Sequence, residues 1–213
     1  MSNNIADIRK TYALGSFNKT DANANPFEQF AIWWQQAVNS QIDEVNAITL
    51  ATVDAFNKPH ARTVLLKGFN SQGFNFYTNY HSNKGQQIAA NPSGAIVLFW
   101  KELERQIRLE GTIIKLPQTE SDTYFNSRPY GSKIGAVASP QSQVIPNRQW
   151  LETQEKTILA TNTQATIKRP TNWGGYQLQP TSFEFWQGRP SRLHDRIVYT
   201  HTNNTWLISR LAP

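Results

Sequence analysis

A chain of 213 residues with 38% hydrophobic and 17% charged side chains can bury a core without covalent staples, and its composition does not suit a disordered segment. It has no cysteine, which excludes a disulfide framework, thiolate metal sites, iron–sulfur clusters and a cysteine nucleophile. A net charge of +6 points to an anionic partner, and 7 Trp, 7 Tyr and 11 Phe favour broad packed surfaces and flat ligands.

The first ten residues lack the apolar core of a signal peptide, and the run Ala95 to Trp100 is too short to span a bilayer. The expectation is a cytoplasmic protein with no membrane association. Residues 1–24 are polar and Asn-rich, and read as a mobile arm or lid rather than core. A helix begins with Asn25 as N-cap, Pro26 at N1 and Glu28 at N3 in a capping-box pattern. Phe27, Phe30, Trp33, Trp34, Ala37 and Val38 follow it at helical spacing as one apolar stripe.

From Val45 the period changes to that of strands. Residues 48–53 and 62–67 flank a turn-like 54–59 and read as a hairpin. Strands over 74–78, 95–100 and 105–115 follow, with a short helix over 84–90. A helical insert after Pro117 carries Tyr124, Phe125 and Arg128, and 146–161 reads as a further helix. The last third returns to strands over 175–179, 183–186, 192–199 and 206–210, with a turn at Asn203-Asn204. No repeat or linker divides 25–213, so this stretch is expected to be a single antiparallel, mainly β, barrel-like domain with peripheral helices.

No glycine-rich nucleotide loop, Walker loop, zinc-protease or serine-hydrolase motif is present. His60, His81, His194 and His201 are scattered without metal-ligand spacing, so no metal is expected. The basic residues never run beyond adjacent pairs, a pattern that suits point contacts to small anions better than a nucleic-acid track.

Three segments carry chemistry. If 192–197 is a strand, alternation places Arg192, His194 and Arg196 on one face, with Leu193 and Ile197 turned into packing. That makes an anion or heteroaromatic platform; an exposed face paired with carboxylates elsewhere would explain the same residues. In Arg62 to Lys67 the two cations differ in parity, so one strand could serve two anions, or simply have charged ends. Tyr124, Arg128 and Ser132 could hold a phosphate through charge-assisted hydrogen bonds, or form a turn of helix closed by Pro129.

Taken together, the strings RTVLLK, FYTN, LERQIRLEG, YFNSRPYGSKIGA, FEFWQGRPSRLHDR and WLISRLAP resemble the blocks of the pyridoxine/pyridoxamine 5′-phosphate oxidase family, over nearly the whole chain from Arg9 to Pro213. The resemblance implies an FMN-binding split β-barrel and a homodimer with FMN at the subunit interface. It places Arg62, Thr63, Val64, Leu65, Leu66 and Lys67 along the flavin, with Arg62 on its phosphate. Further FMN contacts would come from Tyr77, Thr78, Lys84, Gln106, Gln141, Ser142, Trp186 and Arg196. Lys67, Tyr124, Arg128 and Ser132 would grip the substrate phosphate. Arg192 and His194 would lie against the pyridine ring, and Arg9 to Tyr12 would close over it. The implied reaction oxidises pyridoxamine or pyridoxine 5′-phosphate to pyridoxal 5′-phosphate. Hydride passes to the flavin, O₂ is the electron acceptor, H₂O₂ is formed, and the amine substrate also releases ammonia. A flavoprotein with another substrate, a flavin or pyridoxal phosphate carrier, and a basic nucleic-acid-binding barrel are the rival readings.

The chain departs from the family pattern at Asn83, where a basic residue usually precedes the lysine matching Lys84, and at Tyr130, where a polar or basic residue is commoner. Asn83→Arg should therefore tighten FMN binding by about 0.5–1.5 kcal/mol, roughly 2- to 12-fold. The gain should shrink with salt and be absent for riboflavin, which lacks the phosphate. Titration of apo-protein with both ligands at two salt concentrations checks this; equal tightening for both would assign position 83 to packing instead.

Overall fold

The computed structural model describes residues 4–213. In chain order the elements are α1 (Pro26–Asn39), β1 (Ala47–Val53), β2 (Pro59–Leu65), β3 (Gly68–Asn70), β4 (Gly73–Asn79), α2 (Asn83–Ala90), β5 (Ser93–Trp100), β6 (Arg105–Lys115), α3 (Gln118–Ser127), α4 (Tyr130–Ala138), α5 (Arg148–Thr161), β7 (Trp173–Gln187), β8 (Asp195–Thr202) and β9 (Thr205–Leu211). The strands hydrogen-bond in the order β2-β1-β5-β6-β7-β4-β3, with β8 added on β7 and β9 on β8. Contacts group the chain into two compact units. One holds the described residues up to Thr49, with Ala95–Gly111 and Pro180–Pro213; the other holds Leu50–Gly94 and Thr112–Gln179. Among the described residues no helix is long and apolar enough to cross a membrane.

In the first unit, α1 starts where expected. Asn25 caps it through the Phe27 amide at 2.9 Å, a bond to N2 rather than the N3 bond of a capping box. Phe30, Trp33 and Ala37 are buried, while Val38, expected on the same stripe, is 41% exposed. Trp33 meets Phe185 edge-on at 5.2 Å and Phe27 meets Phe183 at 5.1 Å, which seats the helix on β7. Phe17 lies in this core at 5% exposure, 5.0 Å from Trp33, although its segment reads as polar arm. One aromatic residue among asparagines gives no period to detect, yet its burial ties the segment down.

The hairpin of β8 and β9 turns on Asn203 and Asn204, with φ of 50° and 60°, the paired left-handed conformation of a tight turn. Sequence predicts two strands over 175–179 and 183–186; the structure has one, β7. Phe74 to Asn79 of β4 pair with its first half and Asp195 to Thr200 of β8 with its second. Pro180, which has no N–H to donate, falls between the two registers.

The predicted strand over 192–199 starts late. Pro190–Arg192 form a 3₁₀ turn in which Ser191 and Arg192 have φ of 57° and 61°, and β8 begins only at Asp195. Arg192, His194 and Arg196 therefore do not share a strand face, and Leu193 is 70% exposed rather than packed.

In the second unit, α4 is an element the sequence does not announce, since Gly131 and Gly135 depress its helical signal. Arg128, extended at ψ 148° ahead of Pro129, separates α3 from α4. Gly174 and Gly175 of β7 lie opposite Thr78 and Tyr77. A Cβ on Gly174 would stand 2.1 Å from the Tyr80 hydroxyl, and one on Gly175 would stand 2.8 Å from the Tyr77 ring, so the glycine pair makes room for both tyrosines.

Phe17→Ala should cost about 3 kcal/mol in urea unfolding, the usual loss for a buried aromatic. A loss below about 1 kcal/mol would mean that this part of the arm is not structural.

Candidate functional site

Residues singled out from sequence form a cluster in each unit, and a few stand apart from both. In the second unit, Arg62 of β2 donates from Nη1 to the Thr52 hydroxyl at 2.6 Å and the Leu50 carbonyl at 3.2 Å, and from Nη2 to Gln87 Oε1 at 2.9 Å. Ser82 caps α2 through the Gly85 amide, which fixes the first turn carrying Lys84. Lys84 Nζ donates to the Thr78 hydroxyl at 3.2 Å, and that hydroxyl donates to Gln141 Oε1 at 3.0 Å. Every one of these partners is neutral. Among the described residues neither cation meets a carboxylate. Burial lowers the pKa of Arg62, and burial together with the Arg62 charge lowers that of Lys84.

Beside them, Tyr77 stacks on Tyr124 with ring centroids 3.8 Å apart, and Trp173 stacks on Tyr77 at 5.8 Å. The Arg128 guanidinium sits 4.7 Å from the Trp173 ring, and its Nη1 is buried without a hydrogen-bond partner. Burial lowers the Arg128 pKa and raises that of Tyr124. Burial, then Glu120 and the neighbouring phenols, pushes Tyr77 up to about 12. Tyr77, Thr78, Arg128, Ser132, Gln141 and Trp173 line a cleft of about 380 Å³. Of the remaining predicted residues, Val64 is half-buried and Leu66 buried, whereas Thr63, Leu65, Lys67 and Ser142 are exposed. Arg62 is half-buried within β2, whereas Lys67 lies beyond the end of that strand and is exposed.

In the first unit, Arg9, Tyr12, Arg192 and His194 line a cleft of about 450 Å³ with Lys10 and Arg189. The turn, rather than a strand face, brings Arg192 and His194 together. His194 lies 4.6 Å from the Trp186 ring, and Tyr12 stands edge-on to both. The Arg189 amide donates to His194 Nδ1 at 3.1 Å, so the neutral ring carries its proton on Nε2. Burial first, then the Arg192 charge, lowers the His194 pKa against the pull of Asp195. Asp195 itself accepts from the Phe17 amide at 3.0 Å and pairs with Arg189 at 3.1 Å and Arg210 at 2.6 Å.

Arg196 does not join that cleft. It grips Glu184 through Nε at 2.7 Å and Nη2 at 3.1 Å, and Arg108 holds the same carboxylate at 3.0 Å. Gln106, on β6, is half-buried. Sequence reasoning passed over Thr52, Gln87, Trp173, Glu104, Arg189 and Asp195. The last three stand inside quoted strings, but nothing in a string says which neighbour a side chain meets.

Residues 34–162 match a family model described as pyridoxamine 5′-phosphate oxidase, and residues 173–213 match one described as the pyridoxine 5′-phosphate oxidase C-terminal dimerisation region. A pyridoxine/pyridoxamine 5′-phosphate oxidase of Paraburkholderia phymatum is 52% identical over 98% of this chain and 99% of its own, and that of Paraburkholderia phytofirmans is 53% identical over the same shares. Among solved structures, PhzG from Burkholderia lata, in complex with tetrahydrophenazine-1-carboxylic acid, is similar at a TM-score of 0.87 and 27% identity, over 91% of this chain and 95% of that one. A pyridoxamine 5′-phosphate oxidase-related, FMN binding protein from Nostoc punctiforme is similar at a TM-score of 0.71 and 18% identity, over 90% of this chain and 100% of that one. That likeness shows the fold, the antiparallel split barrel that the sequence leads one to expect.

His194 should titrate below its ordinary 6.5 and show an unprotonated Nδ1 at neutral pH in ¹⁵N–¹H NMR. A proton on Nδ1 would contradict the assignment. Since the folded pKa is the lower one, the unfolded chain binds more protons in this window. The His194 contribution to stability is therefore complete above 6.5 and lost as pH falls from there towards the folded pKa.

Proposed function

The chain belongs to the pyridoxine/pyridoxamine 5′-phosphate oxidase family of enzymes, and from that premise we propose that it uses FMN and O₂ to oxidise pyridoxamine or pyridoxine 5′-phosphate to pyridoxal 5′-phosphate, with H₂O₂ and, from the amine, ammonia as further products. The observation that carries the reading is the unpaired charge of the second unit. Arg62 and Lys84 are partly desolvated, satisfied only by neutral groups, and each is disfavoured as a cation by its surroundings. A phosphate dianion supplies what both lack. The residues present therefore fit FMN: Arg62 and Lys84 would hold its phosphate, and Thr78 and Gln141 offer neutral hydrogen-bonding groups beside it. Thr63 to Lys67, Tyr77, Gln106, Ser142, Trp186 and Arg196 are proposed for its remaining contacts. Bound FMN would supply the hydride acceptor and the route of electrons to O₂.

The chain's own groups bind and orient. Arg128, with an unsatisfied buried Nη1, suits a second phosphate, that of the substrate, with Tyr124, Ser132 and Lys67 as further donors. Arg192 adds positive charge beside His194, and His194 offers a proton donor at Nε2 rather than a base at Nδ1. Both are cast as positioning and electrostatic groups for the pyridine ring. Arg9 and Tyr12 wall the same cleft, within an arm of residues 1–24 ahead of a flavin-binding domain of 25–213. Two such chains, dimerised through the region that residues 173–213 match, would share FMN at their interface in the cytoplasm.

Purified protein should be yellow and carry FMN at about one per chain, since Arg62 and Lys84 together suit one phosphate. Arg192→Ala and His194→Ala should each cost about 1.5–3 kcal/mol, a 10- to 100-fold drop in kcat/KM, with FMN content near normal. A colourless protein that neither binds added FMN nor oxidises pyridoxamine 5′-phosphate would remove the reading.

A further inference from the structure

We propose that Glu104, a buried carboxylate some 90 positions along the chain from the segment it holds, is the positioning residue that fixes the stretch from Lys10 to Leu14 as a wall of the His194 cleft. The choice of substrate in its test rests on the functional reading above; its structural part does not.

Glu104 sits in the turn between β5 and β6 at 2% exposure, with a left-handed φ of 54°. Glycine or asparagine adopts that conformation more easily, so the backbone does not call for a glutamate. Its main chain is held from one side: the Glu104 carbonyl accepts from the Gly188 amide at 2.7 Å and from Gln187 Nε2 at 3.2 Å. Its side chain is spent on the arm. Oε2 accepts the amides of Ala13 at 2.7 Å and Leu14 at 3.0 Å, and Oε1 lies 3.3 Å from Lys10 Nζ. Burial acts to raise the pKa of this carboxyl, but the two amides and the Lys10 ammonium outweigh it and leave the pKa lowered.

Tyr12 lies between those attachments. Its ring stands edge-on at 5.7 Å from Trp186 and 5.9 Å from His194. The fit needs Gly188, where a Cβ would come within 2.8 Å of Tyr12 Cβ and Cγ. A carboxylate that accepts the amides immediately after Tyr12 and pairs with the ammonium two residues before it thus sets where the ring rests. Phe17, held by Asp195, anchors the segment further on, so Glu104 governs the stretch nearest the cleft.

The test uses FMN-loaded protein and pyridoxamine 5′-phosphate. E104Q keeps the side-chain shape and one neutral acceptor but loses the charge that both amides and Lys10 meet. KM should rise about 5- to 20-fold with kcat changed less than about 2-fold and FMN content unchanged. An arginine-specific protease should cut at Arg9 faster in E104Q by a similar factor. K10A, a change at a residue 61% exposed, should raise KM about 2- to 3-fold alone and add nothing in the double variant, because its partner charge is already gone. K10A alone should also speed cleavage at Arg9, which keeps the proposal testable if E104Q does not fold. Loss of FMN from E104Q with KM unchanged, an additive K10A effect, or cleavage at Arg9 indifferent to both substitutions would overturn it. If wild-type protein fails to oxidise the substrate while cleavage responds as described, the functional reading falls and the role of Glu104 in ordering the arm stands.

Discussion

A charge taken out of water must find an opposite charge or a set of hydrogen bonds, and this protein uses both answers. In the first unit the buried carboxylates are fully engaged. Glu104 takes two amides and Lys10, Asp195 takes an amide and two arginines, and Glu184 takes Arg108 and Arg196. In the second unit Arg169 pairs with Asp122, but three other cations come without carboxylates. Arg62 and Lys84 lean on neutral oxygens, and one nitrogen of Arg128 has no partner. Paired charge builds structure, whereas these cations, of which Arg128 lines a cleft, keep the capacity to receive an anion. A chain with a net charge of +6 can leave such cations unpaired without any basic run in its sequence.

The same economy explains why so many aromatic rings surround the clefts. Tyr77, Tyr124 and Trp173 form a stack with Arg128 over one ring, which gives a guanidinium a surface to lie on without a carboxylate that would neutralise it. Gly174 and Gly175 leave the space that lets Tyr77 and Tyr80 approach the strand. In the first unit Trp186, His194 and Tyr12 make a second aromatic group, and the amide of Arg189 decides which nitrogen of the histidine is free to donate. Each arrangement couples a small residue or a backbone amide to a large side chain.

The segment before α1 unites fold and site. Phe17 contributes to the core, while a few residues earlier Tyr12 contributes to a cleft wall. Between them the chain has few apolar contacts of its own, and Leu14 is 64% exposed. Order there rests on amides donated to Glu104 and Asp195, interactions with a short reach and a strict geometry. A stretch held this way can be rigid when its acceptors are charged and loose when they are not.

Local chemistry wrote most of the elements into the sequence. Asn25-Pro26 opens a helix, Asn203-Asn204 turns a hairpin, and the alternation of 105–115 is the strand β6 to the residue. The family blocks, being long and mixed in composition, supply the candidate residues. What the sequence could not decide is which of those residues meet. Period-2 alternation places Arg192, His194 and Arg196 on one face, but Pro190 and two left-handed residues make a turn there, so Arg192 and His194 share a cleft while Arg196 goes to Glu184. The polar stretch before α1 hides a core residue, and α4 hides behind its glycines. Propensity and period act over neighbours in the chain, so they are legible in one dimension. Charge pairs and hydrogen bonds depend on distances of a few ångströms between residues as much as 193 positions apart, as between Phe17 and Arg210, and only the folded chain sets those distances.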